Sequence, residues 1–446
     1  MTSVTTSILW FRRDLRLSDH PAMLAAADAG DQVVPVFVLD DVLLRTAGPN
    51  RLAFLFDSLR DLHQRTGGAL RVLTGPPEVA IPSLAKDLDA TSVHISSDHG
   101  PYGRARDVRV AKALTVPMVA TGSPYGVTPG SLTKADGQPY KVFTPFLKAW
   151  VARGIRGPAQ VREVAWTDGG VATSDIPTAH PTADLSEPGE LAAQARWEQF
   201  KERDLADYGV GRDEIGADRT SRLSPYLKWG LLHPRTLHAE LDRSEGARAF
   251  RAELVWRDFY ADVLHHHPAS ARADLTGALQ GMAYDVPAPL FEAWKVGLTG
   301  YPIVDAGMRQ LLATGWMHNR VRMITASFLT KDLHVWWRHG AKHFMEHLVD
   351  GDLASNQHGW QWVAGTGTDA SPYFRVFNPV TQGLRFDPDG AYVRRWVPEL
   401  RELPGKTIHQ PWDCEHPPEG YPSRVVDHAA ERQESLDRYA QVKERR

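Results

Sequence analysis

The feature that most constrains the fold is a regular alternation of apolar runs and helical patterns in the first 130 residues. Five short apolar runs are typical of buried strands: ILWF (8–11), VVPVFVL (33–39), LRVL (70–73), SVHIS (92–96) and PMVA (117–120). Helical patterns lie between several of them, as at 51–65 and 104–114. This alternation predicts a doubly wound parallel sheet with any ligand at the carboxyl ends of the strands. Neither GxGxxG nor a P-loop occurs there, which disfavours a conventional dinucleotide or nucleoside triphosphate site.

The remainder of the chain predicts a second, mainly helical domain. A helical pattern at 141–150 closes the first domain, and residues 166–190 are rich in Pro, Gly, Asp and Ser, as linkers are. From Leu191 the pattern is helical almost to the end. Because 446 residues are too many for one ordinary core, we expect three segments: an α/β domain (1–130), a connector (131–190) and an all-α domain (191–446).

Composition excludes several classes of protein. No apolar run approaches the length that spans a bilayer, and the first residues lack the order of a signal peptide. Cys414 is the only cysteine, and the three histidines at 265–267 have no acid or cysteine at ligand spacing, so no disulfide and no metal are predicted. The formal charge of −3 requires any nucleic-acid site to be a local basic patch. We expect a cytoplasmic monomer with no membrane contact and no obligate protein partner.

Two helical stretches combine charged and aromatic side chains on one face. In AELVWRDFY (252–260) the spacing i, i+3, i+4, i+7 predicts a polar cavity or groove lined by Glu253, Trp256, Arg257 and Tyr260. In GWMHNRVRMITASFL (315–329) one face is predicted to carry Trp316, Asn319, Arg320 and Met323, with Arg322 directed elsewhere, towards an acid. The alternative for the second stretch is an apolar-packed helix with a polar outer face.

Three further stretches leave alternatives open. In DGDLASNQHGWQW (350–362) the row Asp352, Asn356 and Trp360 would span roughly 12 Å of helix, which suits an elongated ligand and an internal polar network equally well. In TSRLSPYLKWG (220–230) hydroxyls and an arginine precede a helix; an anion site is one interpretation, but the motif alone favours helix capping without a ligand. Adjacent indoles in KDLHVWWRHG (331–340) should diverge by about 100°, so only one is expected to face any given site.

Taken together, these motifs resemble the photolyase/cryptochrome family, most closely the class I cyclobutane pyrimidine dimer photolyases. The matching strings are LWFRRDLRLSDHPAM (9–23), TSRLS (220–224), ELVWRDFY (253–260), TGYPIVDAGMRQLLATGWMHNRVRM (299–323) and DGDLASNQHGWQWVAGTGTDASPYFRVFNPVTQG (350–383). The family fold, an α/β domain joined by a long linker to a helical FAD domain, agrees with the organisation above. The resemblance implies light-driven repair of cyclobutane pyrimidine dimers in UV-damaged DNA, by electron transfer from excited reduced FAD to a flipped-out dimer.

The resemblance also implies which residues bind FAD. Its phosphates and ribityl chain would be surrounded by Tyr208, Thr220, Ser221, Arg222, Leu223, Ser224 and Arg257. Arg322 and Asp350 would flank the isoalloxazine, Asp352 would contact the flavin or its ribityl chain, and Asn356 would face flavin N5. An amide there can accept a hydrogen bond from N5–H without adding negative charge, which suits an anionic reduced flavin. Gln357 and His358 receive only a structural role.

Substrate and electron-transfer roles follow from the same resemblance. The lesion would be contacted by Glu253, Trp256, Asn319, Met323 and Trp362, and the DNA backbone by Arg212, Arg320, Arg375 and Gln382. Glu253, Asn319 and Met323 act with Asn356 as the implied catalytic group. Trp360 and Trp337 match the inner two members of the family's three-tryptophan chain, and Tyr284 stands at the outermost position, with Trp294 or Trp336 as alternative exits.

The antenna position departs from one branch of the family. Members that bind a folate carry Glu shortly before the RARD-like string, where this chain has Gly103, and PYGR resembles the members with an 8-hydroxy-5-deazaflavin antenna. We therefore favour a deazaflavin, with a folate, FMN or no antenna as alternatives. The residues expected to bind it, at or near strand ends, are Arg12, Asp40, Arg51 and Asp98.

The main rival hypothesis is a cryptochrome, a flavin blue-light photoreceptor without repair activity. Asn319 and Met323 match the dimer-binding pattern, Asn356 matches the flavin-facing residue, and we expect no long signalling tail after the FAD domain, so repair is favoured. A (6-4) photolyase is disfavoured because that branch places His where Asn319 and Met323 stand. A flavoprotein that uses NADH would need a nicotinamide site, which the sequence lacks.

Overall fold

A computed structural model describes residues 4–287, 289–369 and 375–444. The strands are β1 (Thr6–Phe11), β2 (Gln32–Leu39), β3 (Arg71–Thr74), β4 (Ser92–Ile95) and β5 (Met118–Ala120). The helices up to residue 266 are α1 (Pro21–Ala29), α2 (Asp41–Leu44), α3 (Pro49–Arg65), α4 (Pro77–Asp87), α5 (Pro101–Ala113), α6 (Phe143–Arg153), α7 (Glu190–Arg203), α8 (Tyr208–Gly211), α9 (Ser224–Trp229), α10 (Pro234–Glu240) and α11 (Glu245–His266). Beyond them lie α12 (Leu290–Val296), α13 (Pro302–Thr314), α14 (Asn319–Ser327), α15 (Trp337–His347), α16 (Leu353–Ala364), α17 (Pro379–Phe386), α18 (Ala391–Trp396) and α19 (His428–Glu444).

The five strands form one parallel sheet in the order β3-β2-β1-β4-β5, which confirms the predicted doubly wound fold. Every residue of β1 and β4 is buried. Helices that cover both faces of a parallel sheet leave no solvent-facing side, which explains why these strands are continuous apolar runs instead of alternating ones. The strand order reverses at β1, so the carboxyl ends of β1 and β4 border the crevice where such sheets bind ligands.

The chain divides into two compact units. Unit 1 comprises Met1–Pro181, Ser186–Arg203 and Ser221–Pro268, and unit 2 comprises Thr182–Leu185, Asp204–Thr220 and Ala269–Arg446. The sheet core of unit 1 centres on Ile8, Trp10, Val34, Val36 and Val93. The core of unit 2 is helical and contains Trp294, Tyr301, Phe328, Trp337 and Trp360. These units are defined by compactness alone. The functional domain boundaries at residues 130 and 190 therefore stay a prediction.

The predicted linker is irregular from Thr167 to Gly189, with one parallel bridge between Val33 and Trp166 at its start. Within the described residues no helix is both long and apolar enough to cross a membrane.

Candidate functional site

Helix α16 in unit 2 carries the densest group of predicted site residues. The Asp352 carboxylate accepts a hydrogen bond of 3.1 Å from Ser355 N, so Asp352 is the N-cap and the helix proper begins at Leu353. Asn356 and Trp360 follow one turn apart on the same face. The predicted row of three is therefore a capping acid followed by two helical positions.

A buried acid precedes this helix. Asp350 Oδ2 lies 2.8 Å from Arg322 Nη2, which confirms the expectation that Arg322 is directed towards an acid. Arg322 Nε also donates to Met317 O at 2.8 Å, and this second bond fixes the guanidinium. Asp350 Oδ1 is buried with no hydrogen-bond partner in the described part of the chain. A buried carboxylate oxygen without a donor is costly, so this atom is suited to accept a hydrogen bond from a ligand.

Gln357 and His358, which were expected to be structural, fasten α16 to the segment before residue 276 together with Gln361, for which no role was predicted from the sequence. His358 Nε2 lies 2.9 Å from Ser270 Oγ, and Gln361 Nε2 donates to Ser270 O at 2.8 Å. Gln357 Nε2 donates to Ala271 O at 2.7 Å, and Gln357 also contacts the side chain of Asn356. The sequence signal for this anchoring is weak, namely three polar side chains at i, i+1 and i+4 of one helix.

An aromatic cluster surrounds Trp360. Its ring centroid lies 5.0 Å from that of Phe344 and 6.1 Å from that of Trp294, which in turn stacks on Phe291 at 5.8 Å. Helix α15 has a glycine at residue 340, and a Cβ there would overlap the Trp360 indole. The glycine therefore allows the indole to lie directly against the α15 backbone. Trp294 contacts Trp360 within the core, and its role as an alternative exit for electrons stays a prediction.

The two adjacent indoles converge, contrary to the prediction that only one would face a given site. Trp337 Nε1 donates to Asp274 Oδ1 at 2.7 Å, and Trp336 Nε1 donates to the same oxygen at 3.4 Å. Helix α15 begins at Trp337, and Trp336 is its N-cap with ψ 130°, so the 100° rotation between helical neighbours does not apply. Asp274 is a functional candidate that sequence reasoning missed.

Tyr284 lies close to the same carboxylate. Burial, assisted by the negative charge of Asp274, raises the pKa of the Tyr284 phenol. Its side chain lines a small cavity together with Lys331, His334 and Arg438. Asp274 thus accepts a hydrogen bond from Trp337 and acts on Tyr284 through its charge. The resemblance places these two residues at an inner position and at the outer end of the electron-transfer chain.

The face of α14 differs in one respect from the prediction. The helix begins at Asn319, where His318 Nδ1 accepts a hydrogen bond of 3.1 Å from Arg320 N, so the buried Trp316 precedes the helix and does not share its face. Asn319 is exposed and Met323 is half-buried. Arg320 pairs with Asp213 at 2.7 Å and lies 3.9 Å from Met323 Sδ. Burial, together with the Arg320 charge, lowers the pKa of His318 to about 4.

The predicted face of α11, in unit 1, is formed as expected. Glu253, Trp256, Arg257 and Tyr260 are all half-buried, whereas Leu254, Val255 and Phe259 on the other side are buried. The Trp256 indole stacks on Phe143 with centroids 3.6 Å apart and planes at 6°. The Arg257 guanidinium donates to Pro124 O at 2.8 Å and to Leu227 O at 3.0 Å. Trp256 and Arg257 are therefore held rigidly on a partly accessible face.

The TSRLS stretch does not cap a helix with its hydroxyls. Helix α9 begins at Ser224, its N-cap is Leu223, and no side chain makes the cap hydrogen bond. Ser221 Oγ instead accepts from Leu223 N at 3.4 Å. Arg222 has φ 50°, in the left-handed region that a non-glycine residue rarely adopts. Backbone strain of this kind concentrates at ligand-binding positions, which weakens the capping interpretation that the motif alone had favoured.

Three of the four predicted antenna residues belong to one network at the crevice beside β1. Arg12 pairs with Asp107 at 2.8 Å, and Arg106 pairs with both Asp98 and Asp107. Arg12 and Arg106 also lie over the Trp10 ring, 4.9 and 5.0 Å from its centroid. The positive charges of Arg106 and Arg12 lower the pKa of Asp98, although burial, the largest single effect, opposes them.

Asp40 joins this network through Tyr102, whose hydroxyl donates to Asp40 Oδ2 and whose ring lies 6.0 Å from the Arg106 guanidinium. Arg51 is buried on α3 and donates to Thr46 O, on the loop before that helix. A Cβ at Gly103 would overlap the Asp98 carboxylate, so a glutamate at position 103 would displace Asp98 from this network.

The remaining predicted residues are dispersed over both units. Tyr208 is buried, Arg212, Thr220, Trp362 and Gln382 are half-buried, and Arg375 is exposed. Over residues 4–287, 289–369 and 375–444 no cluster of His, Cys, Asp or Glu could hold a metal ion.

The chain is similar to known proteins in both sequence and structure. The profile described as the FAD binding domain of DNA photolyase matches residues 250–441, and the profile described as DNA photolyase matches residues 7–163. A deoxyribodipyrimidine photo-lyase of Streptomyces griseus is 41% identical over an alignment of 448 residues, gaps included. The alignment covers 96% of this chain and 98% of the relative.

Two solved structures share the fold over their whole length. A class III photolyase of Agrobacterium tumefaciens has a TM-score of 0.88 at 36% identity, covering 100% of this chain and 99% of its own. A cryptochrome of Synechocystis also has a TM-score of 0.88, at 30% identity, covering 98% of this chain and 100% of its own.

Proposed function

The chain belongs to the DNA photolyase family and is an enzyme of the deoxyribodipyrimidine photolyase class, and from that premise we propose that it repairs cyclobutane pyrimidine dimers in DNA through light-driven electron transfer. Its segment 250–441 is an FAD-binding domain. The bonds that we propose are broken are the two carbon–carbon bonds of the cyclobutane ring that join the pyrimidines, and the residues that take part are assigned below. The class I assignment is likewise a proposal.

The observation that carries the proposal is the buried Asp350 carboxylate beside Arg322. One of its oxygens pairs with Arg322, and the other has no donor among the residues that the structure describes. Together with Asn356 on α16, these side chains offer acceptors and a cation, which fit the N–H groups and the anionic charge of a reduced flavin. We assign Arg322, Asp350, Asp352 and Asn356 to the flavin end of FAD, and assign Tyr208, Thr220, Ser221, Arg222, Leu223, Ser224 and Arg257 to its ribityl and phosphate groups.

Reduced FAD, when bound, would supply the light-excited electron that opens the cyclobutane ring and that returns afterwards. The protein residues hold the lesion and exclude water. Glu253 and Asn319 can hydrogen-bond to base edges, and Trp256, Met323 and Trp362 offer apolar surface to the joined pyrimidine rings once the lesion leaves the base stack. Arg212, Arg320, Arg375 and Gln382 are proposed to contact the DNA backbone. No protein nucleophile takes part.

For the antenna we propose an 8-hydroxy-5-deazaflavin at the β1 crevice, with a folate, FMN or no antenna as alternatives. The overlap of a Cβ at Gly103 with Asp98 disfavours the folate arrangement that uses Glu at that position. The half-buried Tyr102 ring and the Arg106 guanidinium, 6.0 Å from its centroid, are an aromatic group and a cation of the kind that contact a planar, anionic chromophore. An absorption spectrum of the purified protein distinguishes these chromophores.

The second candidate is a photoreceptor without repair activity, because the Synechocystis cryptochrome is as similar in fold as the photolyase neighbour. A repair assay discriminates between the two. Protein with bound FAD, photoreduced under anaerobic conditions, is mixed with an oligonucleotide that contains one thymine dimer and is illuminated with blue light. Repair predicts light-dependent recovery of separate thymines, with a dark sample as control. Dimers that persist although FAD is bound and reduced would overturn the repair proposal in favour of the photoreceptor.

A further inference from the structure

Two neighbouring side-chain amides on α16 form a continuous chain of hydrogen bonds. Asn356 Nδ2 donates to Ala341 O at 3.0 Å and to Gln357 Oε1 at 2.9 Å. Gln357 Nε2 in turn donates to Ala271 O at 2.7 Å. The chain therefore begins and ends at backbone carbonyls that belong to two different segments, the α15 helix and the turn at Pro268–Ala271.

The two terminal carbonyls fix the orientation of both amides. A backbone carbonyl can only accept, so the NH₂ group of Gln357 must face Ala271 O. The carbonyl oxygen of Gln357 then faces Asn356 and requires a donor from it. Asn356 meets this requirement and that of Ala341 O with the two hydrogens of a single NH₂ group. A flipped Asn356 would place its oxygen against two acceptors, which is repulsive.

Asn356 Oδ1 is consequently the amide atom that is directed away from this chain of hydrogen bonds. A side-chain amide is otherwise ambivalent, because its oxygen accepts and its nitrogen donates from almost superimposable positions. Here the ambiguity is removed because Ala341 O and Gln357 Oε1 both require a donor from Asn356, and Gln357 is a residue that the resemblance left without a role.

We propose that Gln357 is a positioning residue that locks the amide of Asn356 so that its carbonyl oxygen, and not its NH₂ group, faces flavin N5. The inference rests on the proposed function, which puts Asn356 at N5. Reduced flavin carries a hydrogen on N5 and oxidised flavin has a lone pair there. A fixed carbonyl acceptor stabilises the reduced form, whereas a freely rotating amide could donate to the oxidised form instead. Gln357 thus biases the cofactor towards the state that repair uses.

The chain provides a matched control one turn further along α16. Gln361 is buried, donates to Ser270 O at 2.8 Å and accepts from Leu275 N at 2.7 Å, so it fastens α16 to the same segment. Its bonds do not include Asn356. If both glutamines are purely structural, substitution of either one should have the same effect on the reduction potential of the flavin. A positioning role predicts that only Gln357 affects the flavin.

The experiment compares Gln357→Met with Gln361→Met in the FAD-bound protein, and measures FAD content, melting temperature and the reduction midpoint potential of the bound flavin. We expect Gln357→Met to keep FAD but to lower the reduced-to-oxidised ratio at a fixed potential roughly three- to tenfold, the range of one net hydrogen bond. A tenfold change corresponds to about 30 mV for a two-electron couple. Gln361→Met should reduce the melting temperature and leave the potential unchanged. In an Asn356→Ala background, Gln357→Met should no longer shift the potential.

Gln357→Glu provides a second, isosteric variant should Gln357→Met lose its fold. The protonated carboxyl can still accept from Asn356 and donate to Ala271 O, but the ionised form cannot donate. The carboxyl accepts from Asn356 in either protonation state, so at a pH where it is protonated we expect the potential of Gln357→Glu to equal that of the wild type at the same pH. Equal potentials in wild type and Gln357→Met, or equal shifts from both glutamine variants, would overturn the inference. Failure of the wild-type protein to bind FAD would instead refute the proposed function, so the two failures are distinguishable.

Discussion

The carboxylate of Asp350 lies 2.8 Å from the guanidinium of Arg322, and the pair is buried unequally: the acid is 2% exposed and the base 24%. The base also bonds to Met317 O. A carboxylate so deeply buried depends on its partner, because an unpaired charge in a low-dielectric interior is expensive.

Replacement of Arg322 by leucine should therefore destabilise the protein by about 3 kcal/mol, since Asp350 would be left buried and unpaired. The matched control is Arg320→Leu on the same helix, whose pair with Asp213 is 27% and 38% exposed. An exposed pair of this kind contributes under about 1 kcal/mol. Urea unfolding of both variants in the FAD-free state measures the difference; equal losses would contradict the burial argument.

Addition of a methyl group at Gly340 should displace Trp360, because the new Cβ would overlap the indole and Leu329. We expect Gly340→Ala to cost about 1–3 kcal/mol by overpacking. Gly359→Ala on α16 is the control, since its Cβ would meet nothing within 4 Å, and it should stabilise the helix by up to about 1 kcal/mol. Thermal unfolding compares the two, and a neutral Gly340→Ala would show that the indole does not rest on α15.

Electron supply to oxidised flavin should depend on Trp360, which is buried against Trp294 and Phe344. Trp360→Phe should slow photoreduction in the presence of an external reductant, while repair by already reduced protein continues. Tyr284→Phe and Trp294→Phe then separate the two exits. Burial and Asp274 raise the pKa of Tyr284, so its oxidation must be coupled to proton loss, and that route should be slower in D₂O. An unaltered rate in Tyr284→Phe would favour Trp294.

Removal of the Trp256 indole should weaken binding to dimer-containing DNA by about 1–3 kcal/mol, the value of one base–aromatic stack. FAD content should not change. Trp256→Phe, which retains a ring to stack on Phe143, should lose less than Trp256→Ala. Fluorescence anisotropy with damaged and undamaged duplexes provides the measurement. Loss of FAD in either variant would show that the residue had been assigned to the wrong ligand.

Stability should fall on acidification through His318. Burial lowers the pKa of His318 to about 4, against an ordinary value of about 6.5. Between these two pH values His318 is protonated in the unfolded chain and neutral in the folded chain. The free energy of unfolding therefore decreases as the pH falls from about 6.5 to about 4, by about 3 kcal/mol over that window. His318→Asn retains an N-cap acceptor for Arg320 N but does not titrate, so its stability should vary less with pH between 4 and 6.5.

The sequence by itself determined the elements that depend on local pattern. Continuous apolar runs such as β1 and β2 are typical of strands buried on both faces of a parallel sheet, and the helical spacing of Glu253, Trp256 and Arg257 placed them on one face of α11. The resemblance added roles to individual residues, and those roles stay predictions. Local pattern was sufficient in these places because the periods of strand and helix differ, and hydrophobic burial follows them.

Tertiary structure decided what depends on the end of a helix or on a distant partner. Helix α15 begins at Trp337, and this start, which periodicity does not specify, turns Trp336 and Trp337 towards one oxygen of Asp274. The orientation of the Asn356 amide is likewise not specified by the local sequence. It is set by the carbonyls of Ala271 and Ala341, 85 and 15 residues away, because hydrogen bonds depend on direction and only the folded chain brings those acceptors into place.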